Sequence, residues 1–583
     1  MNLGSVSGKN WISKEFNSDD IDFFKTNFFL DEIVAKLLSI RKIKKEEVKN
    51  FLDPSIKNIL PNPFVLKDMD KGIDRTISAI LKKEKIGIFG DYDVDGATST
   101  AILGQYFKLL NINFEIYIPD RKSEGFGPNK KAFLEFINLG VNLIFTVDCG
   151  TLSFEPISYA KKEKIDVIIL DHHQSDIKLP DAHSIINPNR MDDRSELNYL
   201  CAAGVCFLFL IALNKKLRDK NWFELNLIKE PDLINILDLV SLGTVCDVVP
   251  LIGLNRAIVR QGLKILKKKN NLGLKTLIEL NNIENNITAY HLGYVLGPRI
   301  NAGGRVGRSS DGAKLLLNSN AQETFKIASD LNKYNKERQV LEAELLKKIL
   351  NTNYQYNSDP VIILYGENWH EGIIGIIAAR LKEKFNKPVI VISVNSGLGK
   401  GSSRSIHGFD IGSSIIAAVQ NGLLVKGGGH KMAAGFTIDM VNFADFKQFI
   451  LGKFKSVNMN LSGKKNYYFD TEIAPSAVNI SFYEKINLLS PFGSGNLEPR
   501  FLIKNVKVIN SKIVAEKHIK SVLIGSDSSI IKTISFNSVE TELSSYLLKK
   551  NIKSFNIVGK LSLNEWRGQK NVEFIIDDIS VNK

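Results

Sequence analysis

Asp91, Asp93 and Asp95 occupy alternate positions in Ile86-Gly-Ile-Phe-Gly-Asp-Tyr-Asp-Val-Asp-Gly96, where a short apolar run meets a cluster of acids. Alternate residues of an extended segment point the same way, so the spacing predicts three carboxylates on one face. Two like charges about 4 Å apart repel by roughly 1 kcal/mol in water and about 4 kcal/mol at an effective dielectric near 20. A divalent cation offsets that repulsion, and the triplet reads as a metal site. A single Asp here would read as the cap of the next helix; three do not fit that role. More acids follow apolar runs: Asp148 in Thr146-Val-Asp-Cys-Gly150, Asp171 in Asp171-His172-His173, and Asp247 in Ser241-Leu-Gly-Thr-Val-Cys-Asp-Val-Val-Pro250. Neutral imidazole is a good ligand for Mn2+ or Zn2+. Adjacent residues of a strand point oppositely, so one His can bind a metal while the other contacts a phosphate. Asp247, between Cys and Val, is costly to bury without a partner. Such a set suits two cations about 3.5 to 4 Å apart, which stabilise the entering and leaving oxygens when a phosphate ester or anhydride is hydrolysed.

A basic set complements the acids. Arg299-Ile-Asn301-Ala-Gly-Gly-Arg305 reads as a Gly-rich turn carrying two guanidinium groups, suited to bidentate phosphate contacts. Arg121 follows the apolar run 114–118, Arg404 lies in Gly401-Ser-Ser-Arg-Ser405, and His430 closes Gly427-Gly-Gly-His. The net charge of +14 favours a polyanionic partner, chiefly nucleic acid.

These residues need a scaffold. At 583 residues the chain is too long for one core, and two to four domains are expected. Strands are predicted at 86–89, 114–118, 143–147 and 167–170, separated by helical stretches, as in βαβ units with a parallel sheet. Three of them end in an acid, and ligands of open α/β sheets bind beyond the carboxyl ends of strands. Helices are expected to dominate 200–300. Residues 321–350 predict one long helix of about 45 Å, long enough to bridge two domains. A second α/β block follows, with strands near 361–364 and 389–392. After about 460, short strand candidates at 501–503, 522–524 and 572–576 suggest a small β-barrel, an OB-fold. No repeats or low-complexity tracts occur.

Hydrophobic content of 44% and charged content of 24% are ordinary for a soluble protein. Cys149, Cys201, Cys206 and Cys246 form no CxxC pair, which suggests reduced thiols and a cytoplasmic setting. The first residues lack the apolar core of a signal peptide. The longest apolar run, 201–213, is too short to span a bilayer and reads as a buried helix, so no membrane is expected.

With Gly90–Gly96, Thr146–Gly150, Asp171–His173 and Gly243-Thr-Val-Cys-Asp-Val-Val-Pro-Leu251 in this order, the chain resembles the DHH superfamily of phosphoesterases. Gly297–Arg305, Leu331-Asn-Lys-Tyr-Asn-Lys-Glu-Arg-Gln339, Gly401–Ser405 and Pro491-Phe-Gly-Ser-Gly-Asn496 narrow the resemblance to RecJ-type enzymes, bacterial exonucleases that degrade single-stranded DNA from its 5′ end. The resemblance covers roughly residues 45 to 580.

Leu and Ile at helical spacing through 29–51 predict a helical N-terminal segment (1–70). The resemblance implies a Rossmann-like DHH catalytic domain (71–320), a connecting helix (321–350), a DHH-associated domain (351–455) and an OB-fold-like DNA-binding domain (460–583). It implies that Asp91, Asp93, Asp95, Asp148, His172 and Asp247 hold two Mn2+ or Mg2+ ions, with Asp148 bridging them. Asp95, Asp148, His172 and His173 form the catalytic set, His173 near the scissile phosphate. Arg299, Asn301 and Arg305 belong to the motif tied to substrate phosphate. Arg121, Ser403 and Arg404 match positions that hold the strand or its 5′-phosphate, and His430 joins them. The implied activity releases 5′-mononucleotides, in recombination and repair, by a monomer associated with single-strand-binding protein and a RecQ-type helicase. The alternative is a DHH phosphodiesterase of short oligonucleotides or cyclic dinucleotides; those relatives are shorter and lack the C-terminal β-domain. A non-cutting DNA-binding scaffold is disfavoured by the intact acids and both His. The chain departs from the pattern at Phe89, where some relatives carry His, at Cys246 and Gly303, where Ala is frequent, and at Leu497, where Pro is usual.

Overall fold

The computed structural model describes residues 5–121, 123–283, 286–352, 356, 359–457, 465–549, 554–566 and 569–581. The chain forms two compact units: residues 61–249 with 262–462, and residues 1–60 with 250–261 and 463–583.

The first unit begins with strands β1 (Lys85–Gly90), β2 (Phe114–Tyr117), β3 (Val141–Val147), β4 (Asp166–Leu170) and β5 (Ser184–Ile186). They form one all-parallel sheet in the order β2-β1-β3-β4-β5. Ile86, Ile88, Leu143, Phe145 and Ile168 on one face and Phe89, Ile144 and Ile169 on the other are all buried, as strands covered on both faces require. β5 is too short to leave a sequence signal. The chain leaves β1 in one direction, to β2, and β3 lies on its other side. That reversal is a switch point, and it puts Asp91 and Asp148 beside each other at the carboxyl edge. Helix α1 (Val94–Leu109) follows β1, and α2 (Leu237–Cys246) packs against it.

The Gly-rich stretch expected as a turn is instead helix α3 (Gly297–Val306). Its Gly303 and Gly304 are buried, lying close to Arg308 and Tyr92, so they serve close packing and not a bend. The predicted long helix is α4 (Ala321–Leu350), N-capped by Asn320. It leads to a second sheet of β6 (Ile362–Glu367), β7 (Val389–Asn395), β8 (Leu398–Arg404), β9 (Lys426–His430) and β10 (Ala433–Asp439), ordered β9-β10-β8-β7-β6. Only β6 and β7 pair in parallel. Helix α5 (Glu371–Phe385) buries Ile373, Ile377 and Leu381 against Val389, Val391 and Ile349.

In the second unit, β11 (Phe501–Val514), β12 (His518–Ile524), β13 (Ile530–Ser535), β14 (Phe555–Trp566) and β15 (Gln569–Val581) run in the order β11-β12-β13-β15-β14. β14 also pairs with β11, which closes a barrel with OB connectivity. The first residues are not a separate helical segment. Strand Asn10–Ser13 pairs with Asn466–Phe469. Phe24, Val34, Leu37, Leu38 and Val48 share one core with Phe501, Ile519, Phe555 and Phe574 of the barrel. In the inserted segment 250–261, buried Arg256 donates to the carbonyl oxygens of Phe51, Leu489, Ser490 and Pro491 and lies 3.9 Å from the centre of the Phe51 ring. The expected boundary at 455–460 runs into residues 458–464, which lie outside the described residues. The apolar run 201–213 lies in a buried helix (Ala202–Asp219), and no helix among the described residues is long and apolar enough to cross a membrane.

Candidate active site

Asp91 leaves β1, Asp93 caps α1, and Asp95 lies in the first turn of α1. The alternation expected for an extended triplet therefore fails at Asp93, where the backbone turns into a helix. Asp93 Oδ1 accepts from Gly96 N (3.0 Å), while Asp95 accepts from Ala202 N (2.6 Å) and Ala203 N (3.0 Å). The turn splits the acids between two donor sets. Asp91, Asp93 and Asp148 offer ligand atoms within 4.8 Å of one another, and so do Asp95, His172 and Asp247. A third overlapping set joins Asp148 with His172 and His173. His172 Nε2 lies 3.3 Å from Asp148 Oδ1 and 3.5 Å from Asp247 Oδ2. Asp247 caps the C-terminus of α2 and supplies the last carboxylate.

Asp148 holds φ at 61°, a left-handed conformation that Asp tolerates better than most residues, and its N–H donates to Leu170 O. That ties its carboxylate between the two sets. Asp91 Oδ1, Asp148 Oδ1 and His172 Nε2 are buried and make no hydrogen bond. Burial, then the neighbouring acid Asp93, pushes the carboxyls of Asp91 and Asp148 well above the usual range. Burial and then Asp95 raise Asp247 to about 8. Burial lowers His172 and keeps its ring neutral, as a ligand must be. Orphaned buried donor atoms among mutually repelling acids fit a pair of divalent cations.

Asp171 is not in these sets. Its Oδ2 accepts from Thr151 N and Oγ1, and its Oδ1 from His172 N, His173 N and His173 Nδ1. Burial opposes a charge on His173, yet the hydrogen bond to Asp171 together with the charges of Asp171, Asp247 and Asp93 outweighs it and raises the ring to about 9. Asn187 donates to His173 O and to Thr151 Oγ1, which holds the loop in place. Phe126, half exposed between Gly125 and Gly127, sets its ring edge-to-face with His173 at 5.6 Å.

The cations gather next to the acids. The Arg121 guanidinium lies 5.2 Å from the centre of the ring of Tyr92, which stands between Asp91 and Asp93 in the chain. Burial, then Arg121, Arg338 and Arg404, lowers Arg305 to about 9, the signature of four guanidinium groups close together. Arg305 also donates to Gly372 O (3.1 Å), which links α3 to α5. Burial and then Arg404 and His173 lower His430, so His430 lies within reach of both clusters. Asn301 lies one turn before Arg305 on α3.

Two expected contacts differ. Ser403 is fully buried and donates to Ala434 O (3.0 Å), so it cannot reach a ligand. Side chains alternate along β8, and Ser402 shares the face of Arg404, whose Nη1 donates to Ser402 Oγ (3.3 Å). Arg299 is held at the edge of the Arg305 cluster: it donates to Asn332 of α4 (3.0 Å) and to Val295 O (2.6 Å), and Arg338 acts on it as on Arg305.

Family models match three stretches of the chain: the DHH family, N-terminal domain, over residues 85–244; the DHHA1 domain over 358–456; and the RecJ OB domain over 469–578. The single-stranded-DNA-specific exonuclease RecJ of Salmonella typhimurium is 34% identical over 91% of this chain and 92% of its own length. The Bacillus subtilis protein of the same name is 31% identical over 99% of this chain and 72% of its own length. The chain belongs to the RecJ family. The crystal structure of RecJ in complex with Mn2+ from Thermus thermophilus superposes with a TM-score of 0.80 at 26% identity, covering 98% of this chain and 79% of that one. A second structure of the same protein, with Mg2+, gives 0.74.

Against the RecJ pattern, Phe89 is lost to the site altogether: it is fully buried and stacks on Tyr117 at 5.7 Å. Sequence reasoning passes over Thr151, Asn187, Phe126, Ser402 and Arg338, and it counts Asp171 among the strand-end acids without giving it the task of orienting His173. Asp171 carries a signal, since an acid directly before two His residues is placed to orient one of them. The others are single residues whose position only the folded chain reveals.

Proposed function

We propose that this chain is a metal-dependent exonuclease that hydrolyses single-stranded DNA from its 5′ end to 5′-mononucleotides. One observation carries the reading: two donor sets, buried at Asp91, Asp95 and Asp148, meet at Asp148 and His172, with Arg121 in electrostatic reach of Asp91 and of Arg305. Asp91, Asp93 and Asp148 would hold one Mn2+ or Mg2+, and Asp95, His172 and Asp247 the other. When bound, the ions supply positive charge that stabilises the phosphoryl oxygens as negative charge develops.

The chain's own groups do the rest. Asp171 holds His173 Nδ1, which leaves Nε2–H of a charged ring to donate to the scissile phosphate. Arg121, Arg305 and Arg404, with Ser402, bind the terminal 5′-phosphate, which fixes the end that enters. Asn301 and His430 line the same region. Arg299, held by Asn332, contacts the strand further along α3. The barrel offers a surface of the kind that binds single strands. We place the activity in the cytoplasm, in recombination and repair. It is carried out by a monomer that works with single-strand-binding protein and a RecQ-type helicase, which expose and hold the strand.

The test compares wild type and Asp148→Ala on single strands labelled at either end, with Mn2+. Wild type is expected to release mononucleotides from the 5′ end, and the variant to lose at least about 1,000-fold. Equal rates would sink the site assignment. Release from the 3′ end would sink the polarity.

A further inference from the structure

Residues 289–306 form one continuous helical stretch: a first turn (Ala289–His291), a π-helical turn (Leu292–Leu296) and then α3. π-turns interrupt a helix at some cost and recur at functional sites. This one carries two large aromatic residues on the outside. Tyr290 and Tyr294 are 62% and 73% exposed, yet their rings stack at 5.1 Å with only 23° between planes. His291 packs edge-on against Tyr290 at 5.7 Å and is itself pinned by hydrogen bonds between its Nδ1 and Thr288. Single exposed aromatics are common. Two held face to face by a third ring present a rigid apolar plane to water.

The plane is tied to both halves of the site. Cys246 Sγ lies 3.5 Å from Leu292 O, and a Cβ at Gly293 would lie 3.3 Å from Val245. The π-turn therefore packs on the last turn of α2, which ends at the proposed ligand Asp247. In the other direction the same stretch runs into Arg299 and Arg305. Eleven residues separate Tyr294 from Arg305, about 16 Å at helical rise. That spans about five nucleotides at a stacked spacing of 3.4 Å, and fewer in an extended strand.

We propose that Tyr290 and Tyr294 form a base-stacking platform for the single strand a few nucleotides 3′ of the cut. Aromatic faces accept any base and suit a nuclease that does not read sequence. The chemistry fits a single strand specifically, since a duplex keeps its base faces covered. The inference rests on the single-strand reading given above.

The experiment uses the full chain with Mn2+ and the variants Tyr290→Ala/Tyr294→Ala and Tyr294→Phe. The ratio of kcat/KM on a 12-nucleotide dT strand to that on a dinucleotide is measured for each. The double variant is expected to lower that ratio about tenfold, and Tyr294→Phe to restore most of it because the ring remains. In parallel, 5-iododeoxyuridine placed singly at positions 2 to 7 from a 5′-phosphorylated end is photo-crosslinked to wild type. Crosslinks to Tyr290 or Tyr294 are expected from one or two adjacent positions. A ratio equal to wild type overturns the platform. So does an equal loss on both substrates, which would mean that the pair only supports α2 and α3. Failure of wild type to bind or cut any single strand would instead overturn the function proposed above.

Discussion

Asp171 accepts five hydrogen bonds, which leaves no lone pair for a cation, while Asp148 Oδ1 accepts none. Two neighbouring strand-end acids thus have opposite tasks. Asp171→Asn should leave Mn2+ affinity within a few-fold by calorimetry while cutting the rate about 10- to 100-fold. It also removes the partner that raises His173 to about 9 from 6.5. In the metal-free protein that pair adds stability in full below about pH 6.5 and loses it as pH rises through about 9. Melting curves from pH 6 to 10 should fall for wild type and stay flatter for Asp171→Asn. Ser402 and Ser403 separate in the same way. Ser403→Ala should cost about 1 kcal/mol of stability in denaturant, with little effect on the preference for a 5′-phosphate. Ser402→Ala should weaken that preference and leave stability nearly unchanged.

At the scale of elements, the site depends on how closely α2 approaches α1. A Cβ at Gly243 of α2 would lie 2.6 Å from Asp95 Oδ1 and 2.7 Å from Thr98 Oγ1. Gly243→Ala should cost about 1 to 3 kcal/mol and reduce Mn2+ affinity together, read by denaturant unfolding and calorimetry. Change in neither would show that the helices have room to move. The elements themselves are largely legible: apolar runs ending in Asp91, Asp148 and Asp171 mark three strands and their ligand edge, and residues 321–350, with Phe325, Leu331, Leu341, Leu345 and Ile349 among their apolar positions, form the single long helix α4. Directions are not legible. Asp95 reads as part of a strand face because nothing in Asp91-Tyr-Asp-Val-Asp95 marks where extended backbone becomes helix. Ser403 enters as a ligand through the family resemblance, and Gly401-Ser-Ser-Arg-Ser405 has no apolar alternation to show that its face is the buried one. Arg299 and Arg305 read as turn residues because glycines that allow close helix packing look the same as glycines that bend a chain.

For the whole molecule, the acids make stability depend on metal and pH together. Asp247 rises to about 8 on folding from 3.8. Without metal, the folded state therefore holds a proton that the unfolded state has released, and stability falls as pH rises from about 4 to 8. Metal competes with that proton. Mn2+ should raise the Tm more at pH 8.5 than at pH 6; at 100 times Kd the gain is about 2.7 kcal/mol per site. Equal shifts at both pH values would remove Asp247 from the ligand set.

The core that joins Phe24, Leu37 and Val48 to Phe501, Phe555 and Phe574 also has a consequence in time. A ribosome makes the two sides of that core far apart in time. At about 5 to 20 residues per second, the roughly 450 residues between them take about 20 to 90 s to synthesise. Through that interval the helices of residues 18–52 carry an apolar face whose cover in the barrel has not yet been made. The unit that carries the acids can fold meanwhile, so the nascent chain is most vulnerable to aggregation and proteolysis in the helices of residues 18–52.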